Sequence, residues 1–162
     1  LGLTVSEGNQ IGTRTVLKRD PEERVGVLCK QNNKIKVIEY TELPKEIACI
    51  KDDEGELVFG ESHIMCNLFS LDAIKRASTK ELEYHIAFKR ADYLNENGEF
   101  IKVDKPNAYK FEKFIFDSFK LFDNISILRG KREEDFAPVK NMTGEDSPET
   151  AKKLYENYWK KA

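Results

Sequence analysis

Residues 106–140 read PNAYKFEKFIFDSFKLFDNISILRGKREEDFAPVK and hold the densest run of aromatic side chains in the chain. If the first half of this stretch is a helix that turns about 100° per residue, most of its apolar side chains share a stripe about 160° wide. The stripe consists of Phe111, Phe114, Ile115, Phe119, Leu121 and Phe122. We therefore predict a helix over residues 106–122 with this stripe buried, then a buried strand over 124–128 and an exposed loop up to Lys140.

Phe116 falls outside that stripe, among the charged side chains of the predicted helix. A single exposed aromatic side chain is common and needs no special explanation. The alternative is that Phe116 lines a pocket that a ligand occupies.

The rest of the chain alternates between predicted strands and helices. Paired Asn residues at 32 and 33 separate two apolar runs, and such residues tolerate the positive φ of a tight turn, so residues 25–40 predict a β-hairpin. Residues 57–60 predict a further strand. Ser70 and Ser78 are typical N-caps of two helices, and Ser147-Pro148 opens a last one. The fold class is therefore α/β, with a mixed sheet flanked by helices.

Composition excludes several classes of protein. The 162 residues fit one domain with a sizeable core, and 27 basic against 29 acidic side chains leave no basic groove for nucleic acid. The apolar runs are too short for a membrane span, and no secretion leader is visible. Three Cys residues without pair spacing favour a reducing, cytoplasmic setting over disulfides or zinc. Because residue 1 is Leu, we expect a fragment.

Two residues near the hairpin are candidates for a binding site. Glu39 continues the apolar row of Ile35 and Val37, where a carboxylate is costly unless it accepts hydrogen bonds. It is either a solvated residue at a strand end or an acceptor for ligand hydroxyls. Gly26 either merely weakens its strand or allows close approach of the backbone to a ligand.

His63 follows a Gly turn, where side chains often meet ligands, although a lone His more often serves local hydrogen bonding. His85 lies within the second predicted helix and receives no role. The residues show no nucleophile elbow, phosphate-binding Walker loop, metal cluster or dinucleotide fingerprint. From its residues alone, the chain is an α/β domain with a candidate pocket.

Two blocks, KFEKFIFD at residues 110–117 and REEDFAPVKN at 132–141, resemble motifs of the eukaryotic-type UDP-N-acetylhexosamine pyrophosphorylases. Those enzymes carry a similar K-x-E-K-F-x-F-D block and an R-E-D-E-F-x-P-x-K-N loop. VGV at 25–27 and VIEYTE at 37–42 also resemble strands of that family. The resemblance runs from about residue 1 to 145.

The resemblance implies formation of a UDP-sugar and pyrophosphate from UTP and a sugar 1-phosphate, with Mg²⁺ bound mainly by residues outside this chain. Gly26 and Glu39 would contact sugar hydroxyls, Phe114 and Phe116 would line the pocket for the sugar and its N-acetyl group, and Lys140 would act on the phosphates as the catalytic residue. Without the resemblance, Lys140 is an ordinary solvated loop residue. Where the family has N-A-G-N-I, this chain reads GESHI at 60–64, so His63 replaces an Asn expected to touch the sugar.

We therefore expect residues 1–145 to form the sugar-binding, C-terminal half of a Rossmann-like nucleotidyltransferase domain, and residues 146–162 to form a C-terminal helix. The family's nucleotide loop and metal-binding Asp would precede Leu1. The fragment alone would be inactive, and its sheet edges could pair with another copy. The alternatives are a non-catalytic sugar-nucleotide binding or regulatory module, and a protein-interaction domain with a fortuitous match.

Overall fold

The computed structural model describes residues 1–161. Its strands are β1 Ile11–Leu17, β2 Val27–Gln31, β3 Lys34–Ile38, β4 Glu61–Phe69, β5 His85–Lys89, β6 Tyr93–Leu94, β7 Phe100–Ile101, β8 Ala108–Glu112 and β9 Ser126–Arg129. Its α-helices are α1 Gly2–Ser6, α2 Lys45–Ala48, α3 Leu71–Ser78, α4 Arg132–Asp135 and α5 Pro148–Lys161, and a 3-10 helix covers Ile115–Leu121.

The central sheet of the described chain has the strand order β3-β2-β4-β1-β9. The pair β1 and β9 is parallel, whereas β1 with β4, β4 with β2, and β2 with β3 are antiparallel. The helix α3 contacts β4 and the 3-10 helix, and α4 contacts β1. The predicted α/β class with a mixed sheet and helices is confirmed.

The hairpin is confirmed as the strands β2 and β3. Its turn residues Asn32 and Asn33 adopt φ values of 50° and 63°. Two successive positive φ values define a turn whose twist matches that of the strands, and Asn tolerates them better than most residues. Val27, the first residue of β2, pairs with Ile38, the last residue of β3, so the open ends of the two strands lie side by side.

The prediction of one helix over residues 106–122 is wrong. Residues 108–112 form β8, and the chain then enters the 3-10 helix. With three residues per turn, the 3-10 helix aligns side chains spaced by three. This spacing puts Phe116, Phe119 and Phe122 on one face, where they are 1%, 0% and 5% exposed. Phe116 is therefore a core residue, and the expected α-helical phase had placed it on the wrong face.

These three rings form the floor of the hydrophobic core. They pack with buried side chains of the sheet, of α3 and of the residue before β9, namely Ile11, Leu28, Val37, Ala73 and Ile125. Burial of one such apolar side chain contributes about 1.5–3 kcal/mol. The core therefore fixes the 3-10 helix beneath the β2–β3 hairpin, which also contacts it through β3.

The second predicted helix, from residue 78 to about 89, is also wrong. Residues 85–89 form β5, which pairs antiparallel with β8 in a separate two-stranded ribbon. Ile86 lies opposite Phe111, and Phe88 opposite Tyr109. All four of these side chains are exposed, so Phe111, which we expected in the core, lies on the outer face of the ribbon. Cross-strand aromatic pairing overrode the local helix propensity.

Three local predictions of smaller extent have different outcomes. The Ser70 hydroxyl caps α3 by accepting from the Ala73 amide at 3.1 Å, as predicted. The last helix begins at Pro148, as predicted. The strand predicted at residues 57–60 is displaced, because β4 begins at Glu61. Among the described residues, no helix is both long and apolar enough to cross a bilayer.

Candidate functional site

The hairpin brings Gly26 and Glu39 into direct proximity. Gly26 precedes β2 and Glu39 follows β3, so the antiparallel register sets them side by side. A Cβ atom added to Gly26 would lie 2.9 Å from Glu39 Oε1 and 2.9 Å from Val37 Cγ1. The bare backbone of Gly26 is thus required for the carboxylate to sit where it does.

The Glu39 carboxylate is half-buried and lies in an acidic neighbourhood. Burial raises its pKa above the ordinary value, and the nearby carboxylates of Glu42, Glu112 and Asp117 raise it further. His85 acts in the opposite direction and lowers the Glu39 pKa. The charge state of Glu39 therefore depends on the imidazole beside it.

Phe114 and Phe116 form an aromatic wall in the candidate site. The rings of Phe114 and Phe116 stack with centroids 4.8 Å apart and planes within 16° of each other. Phe116 is buried, whereas Phe114 is only partly buried. Phe114 is therefore the more accessible ring of the two, and the buried ring of Phe116 stacks against it.

His63 lies in β4, behind Phe116, with ring centroids 5.2 Å apart in an edge-on arrangement. Its side chain is buried, and Nε2 lies 2.9 Å from Asn67 Oδ1, which also accepts from the Thr13 hydroxyl. Burial lowers the His63 pKa more than the Asn67 hydrogen bond raises it. His63 also donates its backbone N–H to the Gly26 carbonyl at 2.9 Å. It therefore connects the aromatic wall to the Gly26 backbone.

Lys140 contacts the segment that precedes Gly26. Its Nζ donates to the Arg24 carbonyl at 2.6 Å, two residues before Gly26, and its side chain is exposed. It borders a cleft of about 430 Å³ whose other lining residues are Arg19, Asp20, Glu22, Glu23, Arg24, Asn141, Glu145 and Asp146. The exposed ammonium can release the carbonyl and turn toward an anion at this rim.

A buried ion pair holds the segment that carries Arg24 against α4. Glu23 is buried and binds the Arg132 guanidinium with both carboxylate oxygens. The same carboxylate accepts from the Arg19 backbone amide at 2.9 Å. Removal of one partner from such a buried pair is costly, so Glu23 fixes the distance between residues 19–24 and the loop that ends at Lys140.

Sequence reasoning missed His85 together with its two carboxylate partners. His85 Nδ1 lies 2.9 Å from Glu42 Oε1, and Nε2 lies 2.9 Å from Asp117 Oδ2. Its ring also contacts Phe114, at a centroid distance of 5.0 Å. The available signal was the period-two alternation of residues 84–89, with Tyr84, Ile86 and Phe88 on one face.

The predicted site residues thus form two adjoining groups. Gly26, Glu39, His63, Phe114 and Phe116 are linked by contacts around the hairpin, and Lys140 reaches the same backbone segment through Arg24. Within residues 1–161, no three His, Cys, Asp or Glu side chains converge so as to hold a metal ion. The chemistry that this chain supplies is hydrogen bonding, aromatic contact and positive charge.

Comparison with known proteins gives consistent matches. Residues 1–146 match the model of the family described as UTP–glucose-1-phosphate uridylyltransferase. Human UDP-N-acetylhexosamine pyrophosphorylase-like protein 1 is 38% identical over 158 residues, which cover 94% of this chain and 31% of the human protein. The UDP-N-acetylglucosamine pyrophosphorylase of Saccharomyces cerevisiae is 35% identical over 163 residues, covering 96% of this chain and 34% of the yeast protein.

A solved structure supports the same relationship. The crystal structure of the Trypanosoma brucei UDP-N-acetylglucosamine pyrophosphorylase, in complex with an inhibitor, matches with a TM-score of 0.77 and 31% identity, covering 94% of this chain and 30% of that one. This chain spans about a third of the length of these relatives. Since the family model matches most of its residues and the folds agree, the chain belongs to the UTP–glucose-1-phosphate uridylyltransferase family.

Proposed function

We propose that this chain is the sugar-binding part of a uridylyltransferase that forms UDP-N-acetylglucosamine and pyrophosphate from UTP and N-acetylglucosamine 1-phosphate. The observation that carries the proposal is the close approach of Glu39 to Gly26, whose carbonyl is linked through His63 to the aromatic wall, in a chain whose relatives include UDP-N-acetylglucosamine pyrophosphorylases. A carboxylate, a bare backbone and an aromatic face are the groups that recognise a sugar through its hydroxyls and its apolar surface.

Glu39 and Gly26 would hold the sugar hydroxyls. An ionised carboxylate accepts two or more hydrogen bonds, and bonds to a charged acceptor are about twice as strong as neutral ones. The absence of a side chain on Gly26 leaves its backbone open to a hydroxyl beside the carboxylate. Glu39 therefore orients the sugar ring, and Gly26 allows it to approach.

Phe114 would contact the N-acetyl group, with Phe116 holding its ring in place. The stacked arrangement and the burial of Phe116 support this division, since an aromatic side chain that is locked by packing presents a fixed apolar surface. His63 would influence the sugar site indirectly, because its ring packs against Phe116 and its backbone N–H donates to the Gly26 carbonyl. Its presence in place of the family's Asn bears on which hexosamine is preferred.

Lys140 would act at the phosphate end. In the reaction, an oxygen of the sugar phosphate attacks the α-phosphorus of UTP, and pyrophosphate leaves with the electron pair of the broken P–O bond. The protein contributes mainly positioning and neutralisation of the negative charge that gathers between the two phosphates. An exposed ammonium next to the Gly26 segment is a mobile positive charge suited to this task.

Several further features belong to the same proposal. The chain would be the C-terminal half of a Rossmann-like domain, with residues 1–145 in that half and residues 146–162 as an appended helix. Mg²⁺ would be bound by residues outside this chain, where it would neutralise phosphate charge, and no step above depends on it. We also propose a cytoplasmic setting, and self-association through open edges of the sheet.

The test is titration of the isotopically labelled chain with UDP-N-acetylglucosamine, followed by backbone amide NMR. We expect shifts centred on Gly26, Glu39 and Phe114, tighter binding than for UDP-glucose, and an affinity about tenfold or more lower in Glu39→Gln. Glu149→Gln, an exposed change on α5, is the matched control. Equal shifts for both UDP-sugars in the wild type and in Glu39→Gln would contradict the proposal.

A further inference from the structure

The imidazole of His85 connects the β5–β8 ribbon to the hairpin and to the aromatic wall of the candidate site. His85 begins β5, and its ring is 14% exposed. One ring nitrogen contacts Glu42, in the turn after β3, and the other contacts Asp117, in the 3-10 helix. Glu42 is tied to Glu39 through its own backbone amide, which donates to the Glu39 carbonyl at 2.8 Å. The His85 side chain therefore connects the turn after the β2–β3 hairpin to the 3-10 helix that carries Phe116.

The hydrogen-bond inventory determines the protonation state that this geometry needs. An ionised carboxylate only accepts hydrogen bonds, and a neutral imidazole has a single N–H. Two carboxylates at 2.9 Å, one on each ring nitrogen, are both satisfied when the imidazole carries two protons. The geometry thus selects the imidazolium form.

Charge balance gives the same answer. The Asp117 side chain is only 6% exposed, and a buried carboxylate is costly without a cationic partner. Among the described residues, the ion pairs of both Asp117 and Glu42 are those with His85. Two further acidic side chains near this ring, Glu83 and Glu112, are paired with Lys120 and Lys110, respectively.

We propose that His85, as an imidazolium, is a positioning residue for the sugar site: it clamps Glu42, which is hydrogen-bonded to Glu39, to Asp117, and its charge favours the ionised form of Glu39. Its relevance to sugar binding rests on the proposed function, whereas the clamp itself does not. Glu39 would accept sugar hydroxyls as a carboxylate, and the positive charge on His85 would oppose the effect of burial on that carboxylate. His85 touches neither the reacting atoms nor the sugar.

The direction of the His85 pKa shift agrees with this arrangement. Burial lowers the His85 pKa, but hydrogen bonds and charge from Asp117 and then Glu42 outweigh it, so the net shift is upward. Around the ring, the acidic groups are Glu83 just before β5, Glu112 on β8, Asp117 on the 3-10 helix, and Glu39 and Glu42 after β3. The imidazolium charge in turn lowers the Glu39 pKa.

The experiment uses the whole chain without ligand, because its sequence contains two His residues and their rings give two resolvable signals. Nitrogen-detected NMR of the labelled imidazoles, recorded across a pH titration, reports protonation at each ring. We expect one ring to titrate above the free value of about 6.5 and, below its midpoint, to carry a proton on both nitrogens. The other ring, from His63, should titrate below that free value. His85→Gln assigns the two signals.

Mild variants test the clamp without removing the ring. Glu42→Gln, at a partly exposed position, should lower the His85 titration midpoint by about one pH unit, since an opposite charge at this distance has an effect of about that size. Glu81→Gln is the control, because Glu81 pairs with Lys113 and does not contact His85. A His85 midpoint at or below about 6.5, or equal midpoints in Glu42→Gln and the wild type, would overturn the clamp.

The effect on Glu39 has its own measurement, carbon-detected titration of the Glu carboxyl groups, with Glu39→Gln for assignment. We expect His85→Gln to raise the Glu39 midpoint, and Glu81→Gln to leave it unchanged. An unchanged midpoint in His85→Gln would overturn the role of His85 at Glu39 even if the chain bound UDP-sugars. A raised midpoint in a chain that bound none would support the clamp and refute the proposed function instead.

Discussion

Gly26 is the residue at which one added methyl group has the most direct consequence. The added Cβ would meet the Glu39 carboxylate and Val37, both at 2.9 Å, and Val37 is fully buried and has no room to yield. We expect Gly26→Ala to lower the free energy of unfolding by about 1–3 kcal/mol, the usual cost of overpacking. Urea denaturation measures it.

Gly2→Ala is the matched control for this change, since a Cβ at Gly2 meets open space. The control should leave the free energy of unfolding within about 0.5 kcal/mol of the wild type, as is usual for surface changes. If Gly26→Ala were as stable as Gly2→Ala, the close approach of Glu39 to the Gly26 backbone would not exist in solution.

His63 gives the fold a sensitivity to acid. Its pKa is lowered by burial, so below the free value of about 6.5 the unfolded chain takes up a proton that the folded chain refuses. Its contribution to stability is therefore complete above that pH and declines as the pH falls. We expect the free energy of unfolding to fall less steeply between pH 6.5 and 5 in His63→Asn than in the wild type. Identical slopes would show that His63 does not stay neutral in the fold.

At the scale of elements, predictability followed the range of the interactions that define each element. The hairpin turn at Asn32 and Asn33 and the caps at Ser70 and Ser147 are set by adjacent residues, and the sequence predicted them correctly. The ribbon of β5 and β8 pairs residues that are 19 to 27 positions apart, and its period-two signal was read as helical. The helix and strand propensities of a segment carry no information about which distant segment it pairs with.

The same limit explains which parts of the site could be predicted. Gly26 and Glu39 are neighbours through a local hairpin, and the break in its alternation marked Glu39 in advance. His85 and Asp117 meet only because the 3-10 helix turns Asp117 inward and the ribbon delivers His85 to it. With an α-helical phase assumed for both segments, neither residue could be assigned a partner.

The hairpin turn can be tested as an element. Because Asn33 has a φ of 63°, Asn33→Ala places a β-carbon in the left-handed region, at a cost of about 1–2 kcal/mol. Asn33→Gly, which adopts that conformation freely, should be as stable as the wild type or more so. Thermal unfolding of the pair checks this. Equal melting temperatures for the two variants would mean that the turn is of another type.

At the scale of the whole molecule, this chain corresponds to about a third of its relatives' length. We propose that the groups it brings together bind the sugar and the adjoining phosphate, which is only part of what the reaction needs. We therefore expect the 162-residue chain by itself to release no pyrophosphate from UTP and N-acetylglucosamine 1-phosphate. Turnover by the chain alone would mean that it contains a complete nucleotide site.

The most direct test of the central claim is the turnover rate of a chimera in which this chain replaces the matching segment of the Saccharomyces cerevisiae UDP-N-acetylglucosamine pyrophosphorylase. We expect pyrophosphate release from UTP and N-acetylglucosamine 1-phosphate, and a rate about 100-fold or more lower in Lys140→Ala, since that change removes a positive charge from the proposed phosphate site. A folded chimera without turnover, or one in which Lys140→Ala retains the full rate, would contradict it.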